Sequence, residues 1–410
     1  MKYLRRVLEK RVLECMQHFP VVVVQGARQT GKSTMVENLG IAGLSTVTFD
    51  PVQDIGGARE DPDFFLQNTR CPLFLDEIQH APQLIASIKR AVDSRRENGL
   101  FILSGSQNLA VLRSVSESMA GRAAVLDLLP MCVAELEERS TETGVLSRLI
   151  RDRDWTPEDH PASPPRPLYE RLWRGGMPGL LEIPDHLATT FFDSYQRTYV
   201  ERDVRTASDI TSLQLFGRFV GLLAALTGQE INHSQLGREL GIDRKTAAAW
   251  TEVATATFQW FQVPPYAANA IKRIADKPKG YFADTGFACA LQRITSPEVV
   301  GRHPLAGALL ETHVFLEIMK LTAGWPVRPA VHHYRAYSGG EVDLLLELDG
   351  VLYPIESKMT TQPTRADCSG IDSLRHTFPR AEIGTALIVC AVEKPRRVRD
   401  DVIAVPWWEL

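Results

Sequence analysis

At 410 residues the chain is too long for one ordinary core, and typical domain size leads us to expect about two to four folded units. Its 44% hydrophobic and 23% charged content excludes a disordered chain, and a formal net charge of -4 gives no global pull on nucleic acid, so DNA contact needs a local basic face. The longest purely aliphatic run, Val21 to Val24, is far short of the roughly 20 residues that span a bilayer, and no charged-then-apolar leader opens the sequence; a cytoplasmic protein with no membrane partner is expected.

From Met1 to Leu129, short β-branched and aliphatic runs alternate with helical patterns, and Val21 to Val24, Ser45 to Phe49, Leu73 to Leu75 and Leu100 to Leu103 are the expected strands. Such alternation predicts a parallel α/β sheet over residues 1–129. Residues 130–211 have helical periodicity, a lid broken between Trp155 and Pro167 by prolines that forbid a continuous helix. Residues 212–285 run helix, helix, turn, helix, short apolar run and basic loop, the outline of a winged helix-turn-helix. Residues 286–410 read as a helix from Pro304 to Thr322 and then several strands, with a hairpin at Asp349-Gly350, which makes a second α/β unit. Six cysteines (Cys15, Cys71, Cys132, Cys289, Cys368, Cys390) have neither C-x-x-C spacing nor a neighbouring His at zinc-ligand spacing, and read as reduced packing thiols.

Gly26-Ala27-Arg28-Gln29-Thr30-Gly31-Lys32-Ser33 satisfies G-x-x-x-x-G-K-[ST] between a strand and the helical-looking Thr34 to Leu39. In that context the backbone N–H groups cradle phosphate, Lys32 reaches the terminal phosphates of ATP, and the Ser33 hydroxyl takes Mg²⁺. The strand Leu73 to Leu75 ends in Asp76 and Glu77, expected to hold Mg²⁺ through water and to polarise the attacking water, respectively. The strand Leu100 to Leu103 ends in Ser104-Gly105-Ser106, where Ser106, with Ser104 in reserve, is placed to sense the γ-phosphate. Arg113 and Arg122 follow, and an arginine acting across a subunit boundary, in a homo-oligomer, would stabilise transition-state charge.

These residues carry a resemblance. Gln25 to Ser33, Leu75 to Gln79, Ile102 to Ser106, Ala120-Gly121-Arg122, Arg174 to Pro178, Tyr199 to Asp203 and Tyr281 to Gly286 together resemble a bacterial and archaeal group of AAA+-type P-loop ATPases, over nearly the whole chain. The resemblance implies an AAA+-like ATPase core, a winged-helix unit and a restriction-endonuclease-like tail, and it supplies no substrate.

Leu236, Leu240, Ile242 and Trp250 are spaced to pack two short helices across the turn at Gly241, with Asp243 as N-cap. Arg244, Lys245 and Thr246 then fill the first turn of a recognition helix, and Lys272, Arg273, Lys277 and Lys279 form the basic loop of a wing that would touch phosphates. Winged helices inside ATPases also serve as lids or subunit contacts, and that reading stays open. In the C-terminal unit, a two-residue Asp349-Gly350 loop sets Asp343 opposite Glu356, roughly 5 Å apart at Cβ, with Glu341 and Lys358 on the same face. Two such carboxylates repel unless something positive lies between them. The layout resembles the PD-(D/E)xK nuclease signature, in which Asp343 and Glu356 chelate Mg²⁺ or Mn²⁺ and Lys358 offsets phosphate charge, and Glu311 matches the extra acid of the resolvase-like branch. A cross-strand ion pair of Glu341 with Lys358, in a fold kept for docking, is the competing reading. His313 reads as a helix-surface group, and Trp407 and Trp408 as core or interface.

The expectation is therefore a DNA-associated ATPase in which nucleotide binding rearranges the lid and winged helix and delivers DNA to the tail. The competing class is a nucleotide-controlled regulator or scaffold whose winged helix and tail contact proteins. A small-molecule kinase is disfavoured because Glu77 supplies a water-activating group.

Overall fold

The computed structural model describes residues 2–105, 119–140, 144–151, 166–199, 204, 210, 212–267, 277–336 and 339–410. Ser106, Arg113, Lys272, Arg273 and most of the proline-rich stretch lie outside the described residues.

After helix α1 (Glu9–His18) comes a parallel sheet of β1 (Val21–Gln25), β2 (Ser45–Thr48), β3 (Leu73–Asp76), β4 (Phe101–Gly105) and β5 (Ala123–Asp127), in the order β2-β3-β4-β1-β5. Strands β1, β3 and β4 are buried on both faces, which is why they read as continuous apolar runs, whereas β2 alternates half-buried with exposed residues as an edge strand does. Helices α2 (Lys32–Glu37), α3 (Pro62–Gln67) and α4 (Leu84–Arg95) cross between strands, and separate apolar cores form on the two faces of the sheet. The order places β4 between β1 and β3, so the ends of three strands meet at one carboxyl edge.

The next segment contains α5 (Val133–Leu136), α6 (Leu168–Arg174) and α7 (Ala188–Thr198). Helices α8 (Leu213–Ala225), α9 (His233–Leu240) and α10 (Arg244–Ala256) then pack beside an antiparallel sheet of β6 (Gln229–Glu230), β7 (Trp260–Val263) and β8 (Lys279–Phe282), ordered β6-β8-β7. Trp250 of α10 meets Phe216 and Phe219 of α8 edge-on, each 5.5 Å between ring centres. Gly241 caps α9 with φ 70°, and Asp243 caps α10 by accepting the Lys245 and Thr246 N–H groups at 2.7 and 2.9 Å.

Helices α11 (Thr285–Leu291), α12 (Pro297–Val300) and α13 (Ala306–Thr322) lead into a mixed sheet of β9 (Ala330–Arg335), β10 (Glu341–Leu348), β11 (Val351–Lys358), β12 (Glu382–Ile383), β13 (Ala386–Cys390), β14 (Arg396–Arg399) and β15 (Val402–Pro406), with α14 (Ser369–Thr377) inserted after β11. Strands β10 and β11 form a hairpin whose turn residues Asp349 and Gly350 both have positive φ, 52° and 80°. Its register pairs Leu344 with Ile355 and Leu348 with Val351. Strands β11, β13 and β15 run parallel in the middle of this sheet. One continuous apolar core joins residues from Val133 through Trp250 and Phe315 to Trp407, so the helical segment, the three-helix unit and the C-terminal sheet are fused by shared packing.

Candidate functional site: a phosphate loop and a distant acidic cleft

The loop between β1 and α2 is shaped by two glycines. Gly26 has φ 155°, and a Cβ there would lie 2.1 Å from the Leu128 carbonyl oxygen, so no other residue fits without moving the β5 end. Gly31, at φ 87°, takes the left-handed turn into α2. Ala27 is buried, Arg28 half-buried, and Gln29 and Thr34 exposed; the Thr30 hydroxyl donates to the Ala27 carbonyl at 3.0 Å. Lys32 is buried within the loop, its ammonium donating to the carbonyls of Gly26 and Ala27 at 3.0 and 2.8 Å.

The Ser33 hydroxyl donates to Asp76 Oδ2 at 2.7 Å, which joins the loop to the end of β3. Asp76 is 5% exposed, and its other oxygen accepts from the buried Ser104 hydroxyl on β4. Glu77 follows with φ 55°, a left-handed conformation that costs a non-glycine residue on the order of 1–2 kcal/mol. That turn directs Glu77 away from the strand, and its carboxylate accepts from the Gln79 amide. Two hydroxyls and the Asp76 carboxylate, from the start of α2 and the ends of β4 and β3, therefore converge, with oxygen donors at Ser33 and Asp76 of the type a hard cation takes.

Several contributors lie outside the phosphate loop and the acidic strand end. Arg6 donates to the Thr30 carbonyl at 2.7 Å and to that of Leu129 at 2.6 Å, and pairs with the buried Glu135 at 3.0 Å, so a residue ahead of the first helix braces the loop from behind. Asp284, in the quoted Tyr281 to Gly286 stretch, accepts the Gly176 N–H at 2.7 Å and caps α11 through Phe287, which ties two of the quoted segments to each other. Glu317 on α13 accepts the Val133 N–H at 2.8 Å and lies 3.2 Å from Lys320.

Arg122 sits just before β5, at the opposite end of the sheet from the phosphate loop, paired with Asp93 at 2.8 Å. A five-residue strand separates it from its own loop by roughly 15 Å, so it does not reach that loop.

On α10, Arg244 and Lys245 are exposed, whereas the Thr246 hydroxyl is engaged by Asp243 at 2.8 Å. Lys277 is exposed. Lys279 corrects the expectation of a wing lysine on DNA. It is 3% exposed, and its ammonium lies 2.7 Å from Glu311, 2.9 Å from Glu341 and 3.8 Å from Asp343. A charge so enclosed cannot reach a phosphate backbone. Burial works to discharge this lysine, but the three carboxylates outweigh it and hold its proton affinity above the ordinary value.

The acids expected at a C-terminal metal site are thus gathered around a lysine. Glu311 is buried, accepts the Tyr281 hydroxyl at 2.5 Å, and is pushed up to about 8 by burial and by Asp343. Glu356 is 2% exposed, lies 2.9 Å from Lys358, and is likewise pushed up to about 8 by burial and Asp343. Asp343 Oδ2 accepts the Ser357 N–H at 2.8 Å. Glu341 pairs with Lys279, not with the Lys358 of the cross-strand reading. Among the described residues no group of three His, Cys, Asp or Glu is arranged to hold a metal. With the Lys279 ammonium enclosed by Glu311, Glu341 and Asp343, this donor set does not fit a divalent ion as it stands.

His313 also departs from expectation. It is buried against Trp407, 5.5 Å between rings, and burial holds its imidazole down to about 3. Trp407 and Trp408 are core residues. Among the described residues no helix is long and apolar enough to cross a membrane.

The parallel sheet, glycine-shaped loop, buried lysine and adjoining acids define a P-loop nucleoside triphosphatase domain. Residues 18–137 match the family model described as an AAA domain, so this part of the chain is an AAA-type P-loop ATPase domain. Residues 166–298 and 306–410 match two models described as domains of unknown function, DUF8612 and DUF4143. The chain is 26% identical over 405 residues to the uncharacterized protein Rv2008c of Mycobacterium tuberculosis, covering 98% of this chain and 83% of that one, and equally to Mb2031c of Mycobacterium bovis. Among solved structures, the Walker-type ATPase PABY2304 of Pyrococcus abyssi is similar at 17% identity and a TM-score of 0.45, over 71% of this chain and 96% of that chain. The RuvB Holliday junction branch migration motor of Thermotoga maritima is similar at 16% identity and a TM-score of 0.29, over 63% and 89%.

Proposed function

We propose that the chain is a magnesium-dependent ATP hydrolase that couples nucleotide turnover to movement of its helical and C-terminal units, and that DNA is the partner it acts on. The observation that carries the hydrolase reading is the Ser33 to Asp76 contact at 2.7 Å beside Lys32 and Glu77. Magnesium fits the Ser33 and Asp76 oxygens, and when bound would neutralise charge on the β- and γ-phosphates. Lys32 exchanges its two loop carbonyls for phosphate oxygens, so nucleotide entry rearranges the loop that Arg6 braces. Glu77 polarises the attacking water once it leaves Gln79, and Ser104 keeps Asp76 oriented. Ser106, outside the described residues, remains the proposed γ-phosphate sensor.

The reading of α8 to α10 with β6 to β8 as a winged helix-turn-helix is supported by the capped three-helix order and the antiparallel sheet behind it. Arg244, Lys245 and Lys277 are its proposed phosphate contacts. The reading of the tail as restriction-endonuclease-like is supported by an antiparallel hairpin joined to parallel β13 and β15, with Glu311, Asp343, Glu356 and Lys358 at one end. No cleavage is assigned to it. A trans role for Arg122 requires self-association.

The test is calorimetric titration with ATP and magnesium, followed by phosphate release with and without DNA. Wild type should bind and hydrolyse, and Lys32→Ala should do neither. Absence of binding heat in wild type would sink the hydrolase reading. Hydrolysis that no form of DNA stimulates would favour a nucleotide-controlled regulator.

A further inference from the structure

The acidic cleft of the C-terminal domain is assembled from two units of the fold. Glu311 comes from α13, Glu341 and Asp343 from β10, and the cation among them from β8, a strand of the other sheet. Strand periodicity puts Lys279 and Tyr281 on one face of β8, and both reach Glu311, at 2.7 and 2.5 Å. The approach is close elsewhere too. A Cβ on Gly228, just ahead of β6, would meet Ala308 of α13 at 3.3 Å. Carboxylates this close repel unless a cation neutralises them, and burying that cation is tolerable only when several acids surround it. A lysine from the neighbouring unit meets both requirements.

We propose that Lys279 is a built-in counter-ion: its ammonium fills the acidic cleft, excludes divalent metal from it, and latches the β6-β8-β7 sheet onto the C-terminal domain. The cleft is therefore closed in the resting chain, and access to it requires withdrawal of β8. Helix α13 joins this latch to the ATPase side of the molecule, since it carries Glu311 at the latch and, six residues further on, Glu317, which holds the Val133 N–H.

The test counts Mn²⁺ bound by the full chain without nucleotide, by the loss of the free-ion magnetic resonance signal, in wild type, Asp343→Asn, Lys279→Met and Lys279→Met with Asp343→Asn. Wild type and Asp343→Asn should bind equal amounts. Lys279→Met should gain one ion per chain, and adding Asp343→Asn should abolish that gain. A cooperatively melting Lys279→Met protein that gains no ion overturns the proposal. So does a wild-type ion that Asp343→Asn removes, and this comparison decides the matter should Lys279→Met fail to fold.

Discussion

Replacing Glu311 with Gln should change how stability depends on pH, and the sign follows from the site. The fold raises this carboxyl from its ordinary 4.5 to about 8, through burial first and Asp343 second. Between those values the folded chain holds a proton that the unfolded chain has released. The group's stabilising contribution is therefore complete below pH about 4.5 and is lost as pH rises through about 8. At ~1.4 kcal/mol for each tenfold change in proton affinity, the whole effect is on the order of 4 to 5 kcal/mol. Glutamine keeps the neutral form at every pH, so Glu311→Gln should gain on wild type by roughly 3 to 4 kcal/mol between about pH 5 and pH 8. His313 and His333, held neutral by burial, drive stability the other way below their ordinary 6.5, but they are common to both proteins and cancel in the difference. Urea unfolding followed by tryptophan fluorescence at several pH values measures it. Parallel pH profiles, or a wild type that gains on the variant as pH rises, would refute the reasoning.

Glu77→Gln should slow hydrolysis by about 10²- to 10⁴-fold while ATP affinity stays nearly unchanged, because Ser33 and Asp76 are untouched; phosphate release and calorimetry separate the two, and a loss under about tenfold would remove Glu77 as the base. Gly26→Ala must relieve a 2.1 Å contact with the Leu128 carbonyl at a φ that alone costs on the order of 1–3 kcal/mol, so melting temperature and ATP affinity should both fall. A variant matching wild type in both would mean that the loop tolerates displacement. Arg244→Ala with Lys245→Ala should abolish DNA stimulation and leave the basal ATPase rate intact, and stimulation that persists with an unchanged salt dependence would move the DNA contact elsewhere. Asp243→Ala removes two N-terminal hydrogen bonds from α10 and should cost about 1 kcal/mol in unfolding free energy by urea titration.

Local chemistry was the legible part of this chain. A glycine pattern between an apolar run and a helix specifies its own backbone path, so Gly26 to Ser33 could be read directly, and Asp76 with Glu77 followed from a strand ending in two acids. The Asp349-Gly350 turn prescribes positive φ at both residues, and the period of two then fixes which side chains share a face, so the hairpin register could be counted outward from the loop. The edge strand β5 went unseen because, apart from Leu126, it is incompletely buried, a weak apolar signal.

What the sequence could not carry is the identity of a charge's partner. Lys279 belongs to a run of basic residues and reads as solvated, and only the packing of β8 against α13 and β10 reveals that it lies among Glu311, Glu341 and Asp343. Arg6, Glu317 and His313 are alike in this respect, since each acquires its role from residues more than a hundred positions away or from a core that encloses it. Backbone preferences act over a few residues and leave a trace in spacing. Electrostatic and packing partners are chosen when distant segments meet, and that choice belongs to the tertiary structure.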